Sequence, residues 1–266
     1  PLEVGTYDNH THLEIADGEN PLPPEDSLAM ATAVGVKGVV QVGTDLETSE
    51  WSADLADRDP RVLAAVAIHP NEAPRLHERG ILDDHIQGIA DLATRDRVRA
   101  VGETGLDFFR TDENGRAPQF HSFEAHIDIA KANGIALQIH DRDAHGAVIE
   151  TLLRVGAPEK TVLHCFSGDA EFARICDDNG WYLSFAGTVT FGNAKGIREA
   201  LSIASRDRIL IETDAPFLTP TPFRGRPNAA YMIPYTLRFM AEHLGIDEAE
   251  LAADIARNTE TVYGQW

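Results

Sequence analysis

Two histidines one residue apart, His10 and His12, are the first side chains with chemistry to offer. Side chains along a strand repeat every second residue, so both imidazoles share one face. Two neutral imidazoles so placed can chelate a divalent ion. Alone, the pair equally suits two polar residues at a strand end; its meaning depends on what joins it. Four further metal-capable residues end later apolar runs: Glu103 in Gly102–Asp107, His140 in Gln138–Asp143, His164 in Leu163–Gly168 and Asp214 in Ile211–Pro216. One catalytic zinc uses three protein ligands and a water, and four imidazoles exceed that need. A carboxylate among them can bridge two ions about 3.5–4 Å apart, which suits hydrolysis by a shared, metal-bridging hydroxide. Glu103 is the expected bridge. His10 and His12 are expected to hold one ion, and His140 with His164 the second. Asp214 is expected both to ligate and to accept the proton of the attacking water, so Glu103 and Asp214 carry the catalytic roles. Imidazole and carboxylate donors admit Zn, Mg or Mn, and Ni or Fe as well.

These residues must be carried by a scaffold that brings distant segments together. Short β-rich runs alternate with longer helical patterns along the chain. Strands are expected over residues 4–10, 37–42, 62–68, 98–103, 135–140, 161–164, 181–185 and 208–213. Helices are expected between them, including one long helical region over 76–94 and one over 119–132. In the latter, Phe120, Phe123, Ile127 and Ala130 follow the spacing of a buried face. Eight strand–helix units without a linker predict an α/β protein, a (β/α)8 TIM barrel forming a single domain over 1–266. An open doubly wound sheet is the alternative. In a barrel, the C-terminal strand ends meet at one face, and each metal-capable residue falls at such an end.

Composition narrows the partners. Lys and Arg number 23 against 43 Asp and Glu, a formal charge of −20. Coating a nucleic acid needs a broad basic surface, which this balance opposes. An enzyme holding a few phosphates with local Arg and metal ions is not opposed. No apolar run approaches the ~20 residues of a membrane span, and no signal peptide is visible. Two cysteines, Cys165 and Cys176, make no disulfide framework, which favours the cytoplasm. A monomer is expected. Neither a Gly-x-Gly-x-x-Gly nor a Walker pattern occurs.

Taken in this order, the motifs Asp8–His12, Ile68–Pro70, Gly102–Asp107, His140–Ala144, His164–Gly168 and Glu212–Pro216 resemble the TatD family of metal-dependent deoxyribonucleases over essentially the whole chain. The resemblance implies a TIM barrel, a divalent-metal site and hydrolysis of DNA phosphodiesters, often from the 3′ end. DNA ends or single strands would be the substrate. His10, His12, Glu103, His140, His164 and Asp214 match the family's metal ligands, with no substitution among them. Two other readings stand beside it. One is an amidohydrolase acting on a C–N or ester bond, although many such barrels bridge their metals with a modified Lys where this chain has Glu103. The other is a metal-binding barrel without turnover.

Further residues carry weaker signals. His69 could hydrogen-bond a substrate phosphate or cap its strand before Pro70. Arg142 could grip a phosphate through two parallel bonds, or pair with Asp141 or Asp143. Arg224 and Arg226, in a loop resembling the family's Arg-Gly loop, suit phosphate binding or a solvated loop. Glu212 and Asp8 could support the ligands from behind, or be buried strand carboxylates. Phe108 and Phe109 could stack on a base, though lid or core packing suits them better. Cys165 is not expected to be a nucleophile beside a ligand, and His77, His85, His121, His126, His145 and His243 fall on helical patterns as surface or satisfied residues.

Overall fold

The computed structural model describes residues 1–266. Eight strands alternate with helices: β1 Thr6–Thr11, β2 Val36–Val42, β3 Val62–Val66, β4 Val98–Asp107, β5 Ala136–Arg142, β6 Thr161–Leu163, β7 Tyr182–Phe185 and β8 Ile209–Ile211. They form one parallel sheet ordered β1 to β8. Thr11 also bridges Ala215, just past β8, so the first strand meets the last. The fold is the expected (β/α)8 barrel. Strands buried on both faces read as continuous apolar runs, and Val62 through Ile68 are fully buried.

The helices are α1 Pro24–Ala33, α2 Leu46–Arg58, α3 Ala73–Glu78, α4 Leu82–Leu92, α5 Glu113–Asn133, α6 His145–Val155, α7 Ala170–Asp178, α8 Lys195–Ile203, α9 Ile233–Leu244 and α10 Glu248–Tyr263. Two expectations are corrected. The region over 76–94 is two helices, because Gly80 takes φ +70° and turns the chain between α3 and α4. Helix α5 begins six residues earlier than the pattern suggests. The Asp112 carboxylate accepts from the backbone N–H groups of Asn114 and Gly115 and starts it there.

The chain forms two compact units. The first comprises Pro1–Gln41, Pro60–Val62 and Cys165–Trp266; the second comprises Val42–Asp59 and Leu63–His164. In the first, Asn9 ties β1 to its neighbours by donating to the Ile211 carbonyl at 2.9 Å and to Thr259 Oγ1 on α10 at 3.1 Å. Tyr7 stacks on Trp266 with ring centroids 4.2 Å apart, and the Trp266 indole N–H donates to the Arg61 carbonyl.

In the second unit, α5 buries Phe123, Ile127 and Ala130 completely, while Phe120 sits half-buried against Phe108. His126 lies on the same helix and is fully buried. Its Nδ1–H donates to the Ser122 carbonyl at 2.6 Å, and Nε2 accepts the Ile68 N–H at 3.0 Å. Accepting at Nε2 requires the neutral ring. Burial drives its pKa down from 6.5 to about 4, with the Ser122 carbonyl partly opposing. Between those values the unfolded chain takes up a proton that the folded chain refuses. Stability from this group is therefore complete above pH 6.5 and falls by about 3 kcal/mol as the pH drops toward 4. Urea unfolding of wild type and His126→Gln across this range should show the difference between them shrinking on acidification. A pH-independent difference would remove His126 as the cause. Because His126 holds the backbone one residue before His69, this helix sets where β3 delivers that histidine.

Candidate metal centre

Metal-capable side chains gather within each unit. In the first, His10 on β1 and His12 just past it point as alternation requires, with Nε2 atoms 3.2 Å apart. Asp214, three residues beyond β8, brings Oδ1 to 3.5 Å from His10 Nε2 and 3.4 Å from His12 Nε2. The backbone makes this meeting possible. The Asp214 N–H donates to the His10 carbonyl, and the His12 N–H donates to the Ala215 carbonyl. Asp8 adds a side-chain stitch: it accepts from the His10 N–H, the Thr213 N–H and the Thr213 hydroxyl. Burial raises the Asp8 pKa to about 7 despite those bonds. Asp8 thus supports His10 through its own N–H and Asp214 through the neighbouring Thr213. Gln41 accepts from the Leu13 N–H and donates to Glu14, whose carboxylate lies 3.8 Å from His12 Nδ1.

In the second unit, Glu103 inside β4 is the hub. Its Oε1 faces His69 Nε2 at 2.8 Å and His140 Nδ1 at 3.2 Å, and its Oε2 faces His164 Nε2 at 3.6 Å. A carboxylate whose two oxygens address different imidazoles has the chemistry of a bridge. His69 differs from the other two. Its Nδ1 accepts the Asn71 N–H at 3.0 Å, so Nε2 carries the hydrogen donated to Glu103. Burial lowers its pKa, keeping it neutral. His69 thus donates to Glu103, and with Glu103 and His140 it also forms a group that could hold a metal ion.

Asp107 is the residue that the sequence reading passed over. Buried at the end of β4, its Oδ2 accepts from His140 Nε2 at 3.0 Å, while Oδ1 accepts the N–H groups of Phe109 and Arg110. Burial alone would raise its pKa, but these donors hold it well below the ordinary carboxylate range. Burial also pulls His140 down, yet Asp107 and Glu103 together carry its pKa up to about 9. The carboxylate fixes the ring and leaves Nδ1 toward Glu103. Its position four residues after Glu103 on one strand was the available signal. Removing such an outer partner commonly weakens metal affinity 10–100-fold. Asp107→Ala should do so, read as the chelator concentration that strips the metal; unchanged retention would remove Asp107 from this role.

Both donor groups fit a divalent ion by chemistry: two imidazoles and a carboxylate in one, two imidazoles and a potential bridge in the other. Backbone conformation clusters with them. Asp143, Cys165, Asp214 and Leu218 are the non-glycine residues with φ between 41° and 60°, and all lie within four residues of a donor. Such conformations persist where surrounding structure enforces them and gather at functional sites. Gly105 has φ +137°, and a Cβ there would lie 2.1 Å from the His140 carbonyl oxygen. Glycine lets β4 pass the ligand strand.

The remaining sequence candidates sort as follows. Glu212 is fully buried, accepts from the N–H of Cys165 and has its pKa pushed to about 8, chiefly by burial. It holds the backbone just after His164. Arg142 pairs with neither neighbouring aspartate: Asp141 is engaged by His145 Nδ1 at 2.7 Å, and Arg142 stacks on Phe109. Arg224 stacks on Phe191, and Arg226 lies over Phe223. Phe109 is 62% exposed, so it is not core. Cys176 is buried on α7, as expected.

A (β/α)8 barrel with His and carboxylate donors at its strand ends defines the class of metal-dependent barrel hydrolases. The family described as TatD related DNase matches residues 7–264. A Mycobacterium tuberculosis protein called uncharacterized metal-dependent hydrolase TatD is 40% identical over 261 residues, 97% of each chain. The 3′-5′ ssDNA/RNA exonuclease TatD of Citrobacter rodentium is 32% identical over 90% of this chain and 91% of its own. The crystal structure of the TatD homologue YJJV of Escherichia coli superposes with a TM-score of 0.86 at 26% identity, covering 97% of each chain. The chain belongs to the TatD family and is a metal-dependent hydrolase. No helix is long and apolar enough to cross a membrane.

Proposed function

We propose that the two donor groups act as one two-metal centre that hydrolyses DNA phosphodiesters, working from 3′ ends or single strands. The observation that carries this reading is Glu103, a buried carboxylate facing three imidazoles, His69, His140 and His164, with two oxygens to share between ions. Strand-end donors of a (β/α)8 barrel conventionally serve a single active face. Two divalent ions, with zinc, magnesium or manganese all compatible with the donors, would lower the pKa of an attacking water and offset charge on the phosphoryl oxygens. Here His10, His12 and Asp214 would hold one ion, His140 and His164 the other, and Glu103 both.

The chain's own groups do the rest. Asp214 has a carboxylate oxygen beside two imidazoles and is the acceptor for the proton leaving water. His69 offers a neutral N–H that can move from Glu103 to a phosphate oxygen. Arg142, Arg224 and Arg226 would grip neighbouring phosphates, which suits a chain that can hold few of them. The Citrobacter relative's name supports a single-stranded nucleic acid as substrate. A cytoplasmic, monomeric protein working in DNA degradation or repair suits this reading.

The test is to strip the protein with EDTA, restore one metal at a time, and supply end-labelled single- and double-stranded DNA, RNA and amide substrates. Metal-dependent release of mononucleotides from the 3′ end of single strands is expected. Turnover of amides with no nucleic acid cleaved would replace this reading by the amidohydrolase one.

A further inference from the structure

Most arginines in this acidic chain are engaged. Arg95 binds Asp54 and Asp57, Arg154 binds Glu124, Arg206 binds Glu250, Arg238 binds Glu248, and Arg198 donates to the carbonyls of Val189 and Phe191. Arg142 and Arg224 differ. Each is exposed, makes no ion pair and sits over one aromatic ring. The guanidinium carbon of Arg142 is 3.9 Å from the Phe109 ring centroid, and that of Arg224 is 3.8 Å from the Phe191 centroid. A guanidinium stacked through its face keeps its N–H edge for a planar or tetrahedral oxyanion.

The Phe109 stack is also tied to the metal donors. Phe109 N–H donates to Asp107 Oδ1 at 3.1 Å, and Asp107 Oδ2 accepts from His140. Phe108 N–H donates to the Arg142 carbonyl at 2.9 Å, and Arg142 stands two residues after His140 on β5. One carboxylate therefore fixes both the imidazole and the loop that carries the ring. At 62% exposure Phe109 adds little to the core, and its ring is free to pack against Arg142.

We propose that Phe109 is a positioning residue: its ring sets the plane of Arg142 so that the guanidinium edge meets a phosphate of the bound strand. Phe191 does the same for Arg224. The inference rests on the phosphodiesterase reading above and adds to it the aromatic half of each phosphate grip.

The experiment compares wild type, Phe109→Leu, Phe109→Trp, Arg142→Ala and the Phe109→Leu/Arg142→Ala double variant, all metal-loaded, on single-stranded oligonucleotides over a range of salt. Phe109→Leu keeps an apolar side chain without a π face. It should raise KM about tenfold, as expected when a charge-assisted contact is loosened. Its kcat should stay within about twofold of wild type and its metal content should be unchanged. The slope of log kcat/KM against log salt should become shallower by about 0.7, the share of one single-strand phosphate. Phe109→Trp should restore KM and slope. Adding Phe109→Leu to Arg142→Ala should change nothing further, because the ring works through the arginine. If wild type cleaves DNA while Phe109→Leu keeps its KM and salt slope, or if the two single effects add in full, the ring has no such task and only this inference falls. If metal-loaded wild type neither binds nor cleaves any nucleic acid, the phosphodiesterase reading falls and this inference with it.

Discussion

Glu103→Gln should reduce kcat/KM by at least about 10³-fold, roughly 4 kcal/mol of transition-state stabilisation. The side chain keeps its shape and loses one ligating oxygen together with its charge. Oε1 faces His69 and His140 and Oε2 faces His164, contacts that no other carboxylate makes together. Metal content, measured on the dialysed protein, should fall alongside activity. The fold should survive, because the change removes a buried charge rather than a packed apolar group. Wild-type turnover with two ions retained in this variant would end the bridging role of Glu103. Partial activity with one ion retained would instead mark a single-metal enzyme.

The second large effect belongs to Gly105→Ala. The new methyl would sit 2.1 Å from the His140 carbonyl oxygen, a backbone atom that cannot rotate away, at a φ of +137° that an L side chain resists. Left-handed strain of about 1–3 kcal/mol and overpacking of similar size together predict a loss of about 3–5 kcal/mol. Relief by moving β5 away from β4 would drag His140 off Glu103 and Asp107. The variant should therefore unfold at lower urea and also need more metal to regain activity. A variant matching wild type in both measurements would mean that the strands have room to separate here.

The rhythm of eight units was readable because β-rich runs stop at Gly, Asn or Pro and because the apolar spacing of α5 is regular. The six donors were readable because His and carboxylates at strand ends are chemically conspicuous. Other features were hidden for identifiable reasons. Gly80 looked like an interior glycine, and only its φ of +70° separates α3 from α4. Asp112 looked like loop, while its carboxylate starts α5. Asp107 read as the tail of a motif, since nothing local says that its partner is His140, 33 residues on. Arg142 had two aspartates beside it and an aromatic pair in the sequence. His145 engages Asp141, and the guanidinium stacks on Phe109. Choices between two adequate partners are settled by packing that a linear pattern does not contain.

The backbone bonds from Asp214 to His10 and from His12 to Ala215 join residues about two hundred positions apart. Contacts of such sequence separation are expensive in loop-closure entropy and tend to form late. On the ribosome, His10 and His12 emerge about two hundred residues before Asp214 and must wait for it before their carboxylate arrives. A nascent chain can thus hold only an incomplete claw of donors at this seam, which favours exchange of the ion until the last strand is in place. Once it is, an ion held by the full donor set adds more binding free energy to the closed chain than to the open one. A metal ion bound at this seam would therefore favour the closed barrel in addition to serving turnover.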